Sequence, residues 1–354
     1  MTSIGNNKKA EKLLRKLLEI QKMSLGDSHP HTLSTISNLS EVCRAQDKHE
    51  ESELLLRQCL EKQKVVLGEH HPHTLRNMSK LAFAYDRLGR LEEGDMLLRH
   101  CLQMQQSFLG ENHSDTLTTL SDLASAYDRR GRLEESAVLL KECLDKKGIV
   151  LGKTHPDTLE TMSNLAATNA KQSLYEESTL LYKECLDKRQ SVLGDNHCDT
   201  LRTMCNLANI YALQLRYDEA IDLYQQCLEK RRLVLGENHP EALSTVSNIA
   251  RTMYSQGRFE AAELLLKQCL QAQQSELGEH YPDAMKTMLT LALVMEGQGR
   301  LEEALVLLKQ RIEKNEQLMQ QGMDNNPSTL KVMSMLIALY DRLKIKQKRS
   351  SSSA

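Results

Sequence analysis

The chain has 354 residues, a formal charge of -2 at neutral pH, no Trp and only 4% aromatic residues. So balanced a charge excludes broad electrostatic binding to nucleic acid, and so few rings leave no base-stacking platform. No stretch approaches the ~18 uninterrupted apolar residues of a membrane span, and the polar N-terminus lacks a signal-peptide core.

In chain order, a first helix is predicted over about residues 8–24, closed by Leu25-Gly26. From Pro30 onward the sequence repeats every 42 residues. Pro30, Pro72, Pro156, Pro240 and Pro282 share one phase, and Pro327 is displaced by three residues. A glycine recurs at Gly26, Gly68, Gly110, Gly152, Gly194, Gly236 and Gly278, and a cysteine at Cys59, Cys101, Cys143, Cys185, Cys227 and Cys269. Strict periodicity over a whole chain signals stacked repeats rather than one closed core.

Residues 72–110 show the unit. Pro72 suits the first helical position, where its missing N–H costs nothing. Leu75, Met78, Leu81, Ala82 and Tyr85 then follow at helical spacing, and Gly89 ends this helix A. Leu91, Met96, Leu97, Leu98, Cys101, Leu102 and Phe108 form a longer helix B, which Gly110 closes. The predicted fold is an all-α, right-handed solenoid of seven such pairs, at 30–68, 72–110, 114–152, 156–194, 198–236, 240–278 and 282–321. A half-repeat precedes them at 8–26 and a terminal helix follows at 327–343. These are expected to form one continuous body, 1–343, with a disordered basic and serine-rich tail at 344–354.

The internal spacing resembles the tetratricopeptide pattern. Its first half reads Met78-x2-Leu81-Ala82-x2-Tyr85, and again Leu120-x2-Leu123-Ala124-x2-Tyr127 and Met204-x2-Leu207-Ala208-x2-Tyr211. Its second half reads Ala220-x3-Tyr224, Ala262-x3-Leu266 and Ala304-x3-Leu308. The long helix B and linkers such as Leu67-Gly68-Glu69-His70-His71-Pro72 and Leu235-Gly236-Glu237-Asn238-His239-Pro240 are similar to those of the kinesin light chain family.

Several residue sets suggest chemistry. Equivalent cysteines in successive repeats stand at least one helix spacing apart, ~8–10 Å, beyond a disulfide's Cα limit of about 7 Å. They read as small buried packing residues. The periodic histidines, His29, His71, His113, His155, His197 and His239, each fall in a different linker. Neither His70, His71 and His73 nor His197, Cys198 and Cys205 have zinc-site spacing. Acidic pairs such as Glu92-Glu93 and Glu134-Glu135 suit the positive end of a helix dipole. No catalytic residues, cofactor or metal are expected. Nine cysteines without a secretory signal suggest free thiols in a cytoplasmic protein.

The resemblance implies that the A helices line a concave groove. The residue before each Leu-Ala pair would then face it: Asn38, Lys80, Asp122, Asn164, Asn206, Asn248 and Thr290. The residue three positions further on shares that face, as Asn209 does with Asn206. A carboxamide both donates and accepts, so Asn164, Asn206, Asn209 and Asn248 can hold the backbone of an extended peptide, as groove asparagines do in the resembled family. Lys171, Arg202 and Arg251 give the middle of the groove a basic lean and a preference for acidic peptides. A chaperone-type carboxylate clamp would need Lys where Ser163, Cys205 and Ser247 stand.

The leading function is therefore a non-enzymatic adaptor that binds proteins or peptides, with cargo linkage suggested by the resemblance. The chain shows no long N-terminal heptad segment of the kind that joins kinesin light chains to a motor heavy chain, so that partner is not expected. The alternatives are the sensor region of a larger signalling ATPase and, against the charge balance, an RNA-binding repeat. Neither nucleic acid nor a membrane is an expected partner.

Overall fold

The computed structural model describes residues 2–277, 282–320 and 327–352, and each regular element among them is a helix. The chain forms two compact units, Met1–Leu174 and Tyr175–Ala354. The first holds α1 (Thr2–Leu25), α2 (Pro30–Arg44), α3 (His49–Val66), α4 (Pro72–Arg87), α5 (Leu91–Phe108), α6 (Ser114–Arg129), α7 (Leu133–Val150) and α8 (Pro156–Lys171). The second holds α9 (Tyr175–Leu193), α10 (Cys198–Leu213), α11 (Tyr217–Leu235), α12 (Pro240–Ser255), α13 (Phe259–Leu277), α14 (Pro282–Gly297), α15 (Leu301–Gln320) and α16 (Pro327–Ser352). Even-numbered helices are the A helices. In each unit every helix packs on its chain neighbours, and A helices also meet across repeats, as α4 meets α6 and α10 meets α12.

This is the all-α solenoid of paired helices that the periodicity predicts. The first helix begins at Thr2, earlier than the expected start near Lys8. The last runs to Ser352, through the segment from Lys344 expected to be disordered. Lys and Gln propagate helices well, and Lys346 and Arg342 tie the extension to Glu296 of α14 at 3.0 and 2.5 Å. Gly278 lies outside the described residues.

The linker histidines have a structural task. His29, His71, His113, His155, His197 and His239 are N-caps, and each Nδ1 accepts the backbone N–H two residues on. That satisfies one of the donors a helix start leaves unpaired. Beside four of these caps a threonine reaches back. The hydroxyls of Thr32, Thr74, Thr116 and Thr200 donate to the carbonyls of Gly26, Gly68, Gly110 and Gly194 at 2.9 Å. The cysteines pack the A–B interface. The thiols of Cys59, Cys101, Cys227 and Cys269 donate to helix A carbonyls of Leu33, Leu75, Leu201 and Leu243 at 3.1–3.3 Å.

The turn from helix A to helix B needs one left-handed residue. Gly89, Gly131, Gly257 and Gly299 supply it in four repeats, with φ between 75 and 83°. Leu215 fills the same place with φ 62° and a 70% exposed side chain. Left-handed backbone costs an L-residue roughly 1–2 kcal/mol, whereas glycine adds ~0.5–1 kcal/mol of ordering entropy. The strain wins. Leu215→Gly is expected to stabilise the protein by about 0.5–1 kcal/mol, seen as a higher urea midpoint. An unchanged or lower midpoint would count against strain at this turn.

Candidate functional site

In the unit Met1–Leu174 the A-helix face carries two clefts. One, of 430 Å³, is lined by Ser34, Asn38, Arg76, Asn77 and Lys80 of α2 and α4. The other, of 350 Å³, is lined by Glu41, Arg44, Lys80, Phe83, Asp115 and Asp122 of α2, α4 and α6. The position before each Leu-Ala pair thus contributes to a shared wall on these helices.

The charges on that wall largely pair across repeats. Lys80 donates to Ser37 at 3.0 Å and sits 3.4 Å from Glu41. Arg76 meets Asp115 at 3.1 Å and Arg129 meets Asp86 at 2.6 Å. Lys171, expected to supply free positive charge, is bonded to Asp128 of the preceding repeat. Asp122 is an exposed residue that also lines the second cleft. Loss of surrounding water pushes its carboxyl up to about 6, against the pull of Arg129 and Lys147. Phe83 is a site residue that reading by charge and carboxamide overlooked. Its half-buried ring has Arg44 and Arg129 over it at 5.4 and 5.6 Å. It stands three residues after Lys80, the phase already assigned to Asn209, so the periodicity does point to it.

In the unit Tyr175–Ala354, Asn206 and Asn248 are half-buried at the same phase of α10 and α12. Neither side chain makes a hydrogen bond to a described residue. Asn209 differs. Its Oδ1 accepts from the Tyr224 hydroxyl of α11 and from Arg251 Nη2 at 3.2 Å, which leaves its amide N–H groups for other partners. Arg251 therefore leans on a neutral carboxamide rather than on a carboxylate. Arg202 lies 3.0 Å from Asp199 on its own helix. Asn164 belongs to the other unit, half-buried on α8. The Thr290 hydroxyl turns back onto the Lys286 carbonyl at 3.1 Å.

A buried polar row on the B helices lies beneath these walls. Gln63, Gln105 and Lys147 occupy it in the first unit, and Arg189, Arg231 and Gln273 in the second, all 7% exposed or less. Gln63 Oε1 accepts from Asn77 of the next helix A at 2.9 Å, whereas Gln105 Oε1 and Gln273 Oε1 have no partner among the described residues. Lys147 Nζ donates to Thr161 Oγ1 at 3.0 Å. Arg189 Nη1 donates to Thr203 Oγ1 at 2.6 Å, and Arg231 Nη1 to Thr245 Oγ1 at 2.8 Å. Buried cations are kept only where hydrogen bonds satisfy them, and here threonines do so.

Two clusters among the described residues bring possible metal ligands together: His197, Cys198 and Asp199, and Glu11, Cys43 and Glu51. In the first, His197 Nδ1 already accepts the Asp199 N–H at 3.2 Å. In the second, hydrogen bonds from Lys48 and Arg15 hold the Glu11 carboxyl down at about 2. Of the denser histidine group, His71 caps its helix and His70 stacks on Phe108 at 3.8 Å. No described helix is long and apolar enough to cross a membrane.

Comparison with known proteins identifies the repeat. The tetratricopeptide repeat family matches residues 2–64, 73–147 and 199–275, and further forms of that repeat match 158–199 and 286–310. Among curated proteins there is no significant match. A crystal structure of kinesin light chain-like, nearly identical repeats from Podospora anserina is 26% identical, with a TM-score of 0.54 over 58% of this chain and 97% of its own. The quorum sensor NprR of B. thuringiensis, in its apo form, is 15% identical, with a TM-score of 0.61 over 87% of this chain and 86% of its own. A signal transduction ATPase with a tetratricopeptide repeat sensor from Pyrococcus horikoshii is also 15% identical, with a TM-score of 0.60 over 92% of this chain and 46% of its own. At 15% identity the last two likenesses speak to fold alone.

Proposed function

Because this chain belongs to the tetratricopeptide repeat family, with repeats similar to the kinesin light chain type, we propose that it is a non-enzymatic adaptor whose A helices hold extended peptides. The family is a protein-interaction scaffold, and the finer reading rests on one observation. Asn206 and Asn248 present carboxamides at one phase of two A helices that touch, with no protein partner for either among the described residues. A peptide backbone offers such groups one acceptor and one donor per residue. Helices ~8–10 Å apart would engage about every third residue of a strand advancing ~3.3 Å per residue. Asn209 then acts by its remaining N–H groups and by placing Arg251. Arg251 favours acidic side chains near that backbone, while Arg202, already paired with Asp199, adds less. Asn164 supplies an equivalent carboxamide in the other unit, while Lys171 is neutralised by Asp128 and adds less. The adaptor acts in the cytoplasm, a compartment that keeps cysteines as thiols.

The test is a displayed library of extended, Asp- and Glu-containing peptides, followed by affinity measurement on the tightest binder. Two lost hydrogen bonds at ~0.5–1.5 kcal/mol each predict an affinity about 5- to 150-fold weaker for the Asn206→Ala, Asn248→Ala double variant. Equal affinity, with helix content and melting unchanged, would remove the carboxamides from the binding surface.

A further inference from the structure

At one buried contact between helix A and helix B, a repeat carries two cysteines where several others carry a serine and a cysteine. In three repeats a helix A serine meets the helix B cysteine: Ser79 with Cys101 at 3.4 Å, Ser121 with Cys143 at 3.2 Å, and Ser247 with Cys269 at 3.4 Å. In the repeat formed by α10 and α11 that serine is replaced by Cys205, whose sulfur lies 3.0 Å from Cys227 Sγ. Even carbon atoms rest roughly 3.5–4.0 Å apart, and sulfur is larger, so the two sulfurs are pressed together. A disulfide bond of about 2.05 Å is some 1 Å away. The argument that separates equivalent cysteines of successive repeats does not apply here, because this pair lies within one repeat, across an A–B crossing kept close by Ala208 and Ala220, both 0% exposed.

We propose that Cys205 and Cys227 form a dithiol modification site, which hydrogen peroxide converts to a disulfide joining α10 to α11. Cys205 is the entry point. It is 6% exposed where Cys227 is 0% exposed, so it is the nearer of the two to solvent. In the first step the Cys205 thiolate attacks one peroxide oxygen. The O–O bond breaks, hydroxide leaves, and Cys205 becomes a sulfenic acid. In the second step the Cys227 sulfur attacks Cys205 sulfur and gives up its proton. The S–O bond breaks and the oxygen departs as water. Two thiols lose two electrons, and one peroxide becomes two waters. The cross-link closes the segment between the two helices and restricts the unfolded chain.

The test uses the full chain. The protein is treated with hydrogen peroxide, denatured, alkylated with a maleimide, and mapped by proteolysis and mass spectrometry. The expected product is one peptide pair linked through Cys205 and Cys227, about 2 Da lighter than the two free peptides and released by dithiothreitol. Its thermal midpoint should rise by about 5 °C. Cys205→Ser restores the pairing that three other repeats already use, so it should fold, yet form no such link and show no rise. The proposal is overturned if Cys205 and Cys227 remain separately alkylatable at doses that oxidise the exposed Cys198, or if any disulfide found runs through Cys198 instead.

Discussion

Replacing Tyr224 with alanine is expected to destabilise the protein by about 3–5 kcal/mol, the range for deleting a large buried aromatic side chain. Tyr224 is fully buried, and loss of water raises its hydroxyl above the usual phenol range. It does two things. The ring fills the α10–α11 interface, and the hydroxyl donates to Asn209 Oδ1. Tyr224→Phe separates them. It keeps the ring and gives up one hydrogen bond, while Arg251 still reaches Asn209 at 3.2 Å. The phenylalanine variant should therefore lose only about 0.5–1.5 kcal/mol. Urea titration measures both, and hydrogen exchange should place the loss in α10 and α11, as nearest-neighbour repeats require. Equal losses for the two variants would mean that the hydroxyl, not packing, dominates.

The second large effect comes from adding volume. Ala208→Leu should cost about 1–3 kcal/mol, because helix A has no room there for a larger side chain. The register is fixed by equivalent positions. A Cβ built on Gly94 of helix B would lie 3.0 Å from the Ala82 carbonyl oxygen of helix A. Ser136 Oγ donates to the Ala124 carbonyl at 2.8 Å. Ala82, Ala124, Ala166, Ala208, Ala250 and Ala292 are all 0% exposed. A leucine must push α11 away from α10, and the urea midpoint should fall accordingly. A variant as stable as the parent would show that this crossing has slack.

Most of the fold could be read from residues with a local task. Pro72 opens α4 and Gly110 follows the end of α5 because helix starts and stops are set by backbone chemistry within a few residues. The Ala and Leu phases gave the packing faces for the same reason. The ends were less legible. Thr2–Lys8 and Lys344–Ser352 join helices without an apolar pattern, and at the C-terminus the ties run to Glu296, a residue far away in sequence.

The site was legible only in part. Phase alone placed Asn38, Lys80 and Asp122 along clefts. It could not reveal that Asn209 is held by Tyr224, that Lys171 is held by Asp128, or that Phe83 lies between two arginines. Each of these depends on which side chain the neighbouring helix presents. The polar row from Gln63 to Gln273 was likewise silent, because a lone Gln or Arg on a helix looks exposed until the helices packed over it are known.

The recurrence of contacts at one period makes the first unit divisible. Suppose Ser114 through His155 were cut out and the flanks rejoined. Asp86, which now holds Arg129 at 2.6 Å, would find Lys171 in that place. Arg76 would exchange Asp115 for Asp157, and Ser79 would trade the Thr119 hydroxyl, 3.1 Å away, for that of Thr161. Those three bonds reform with residues of the same kind, whereas Asp95 would meet Gln172 and Leu174 in place of Arg130 and Arg132. A whole period can thus be lost from this unit with part of its interface remade and part of it weakened.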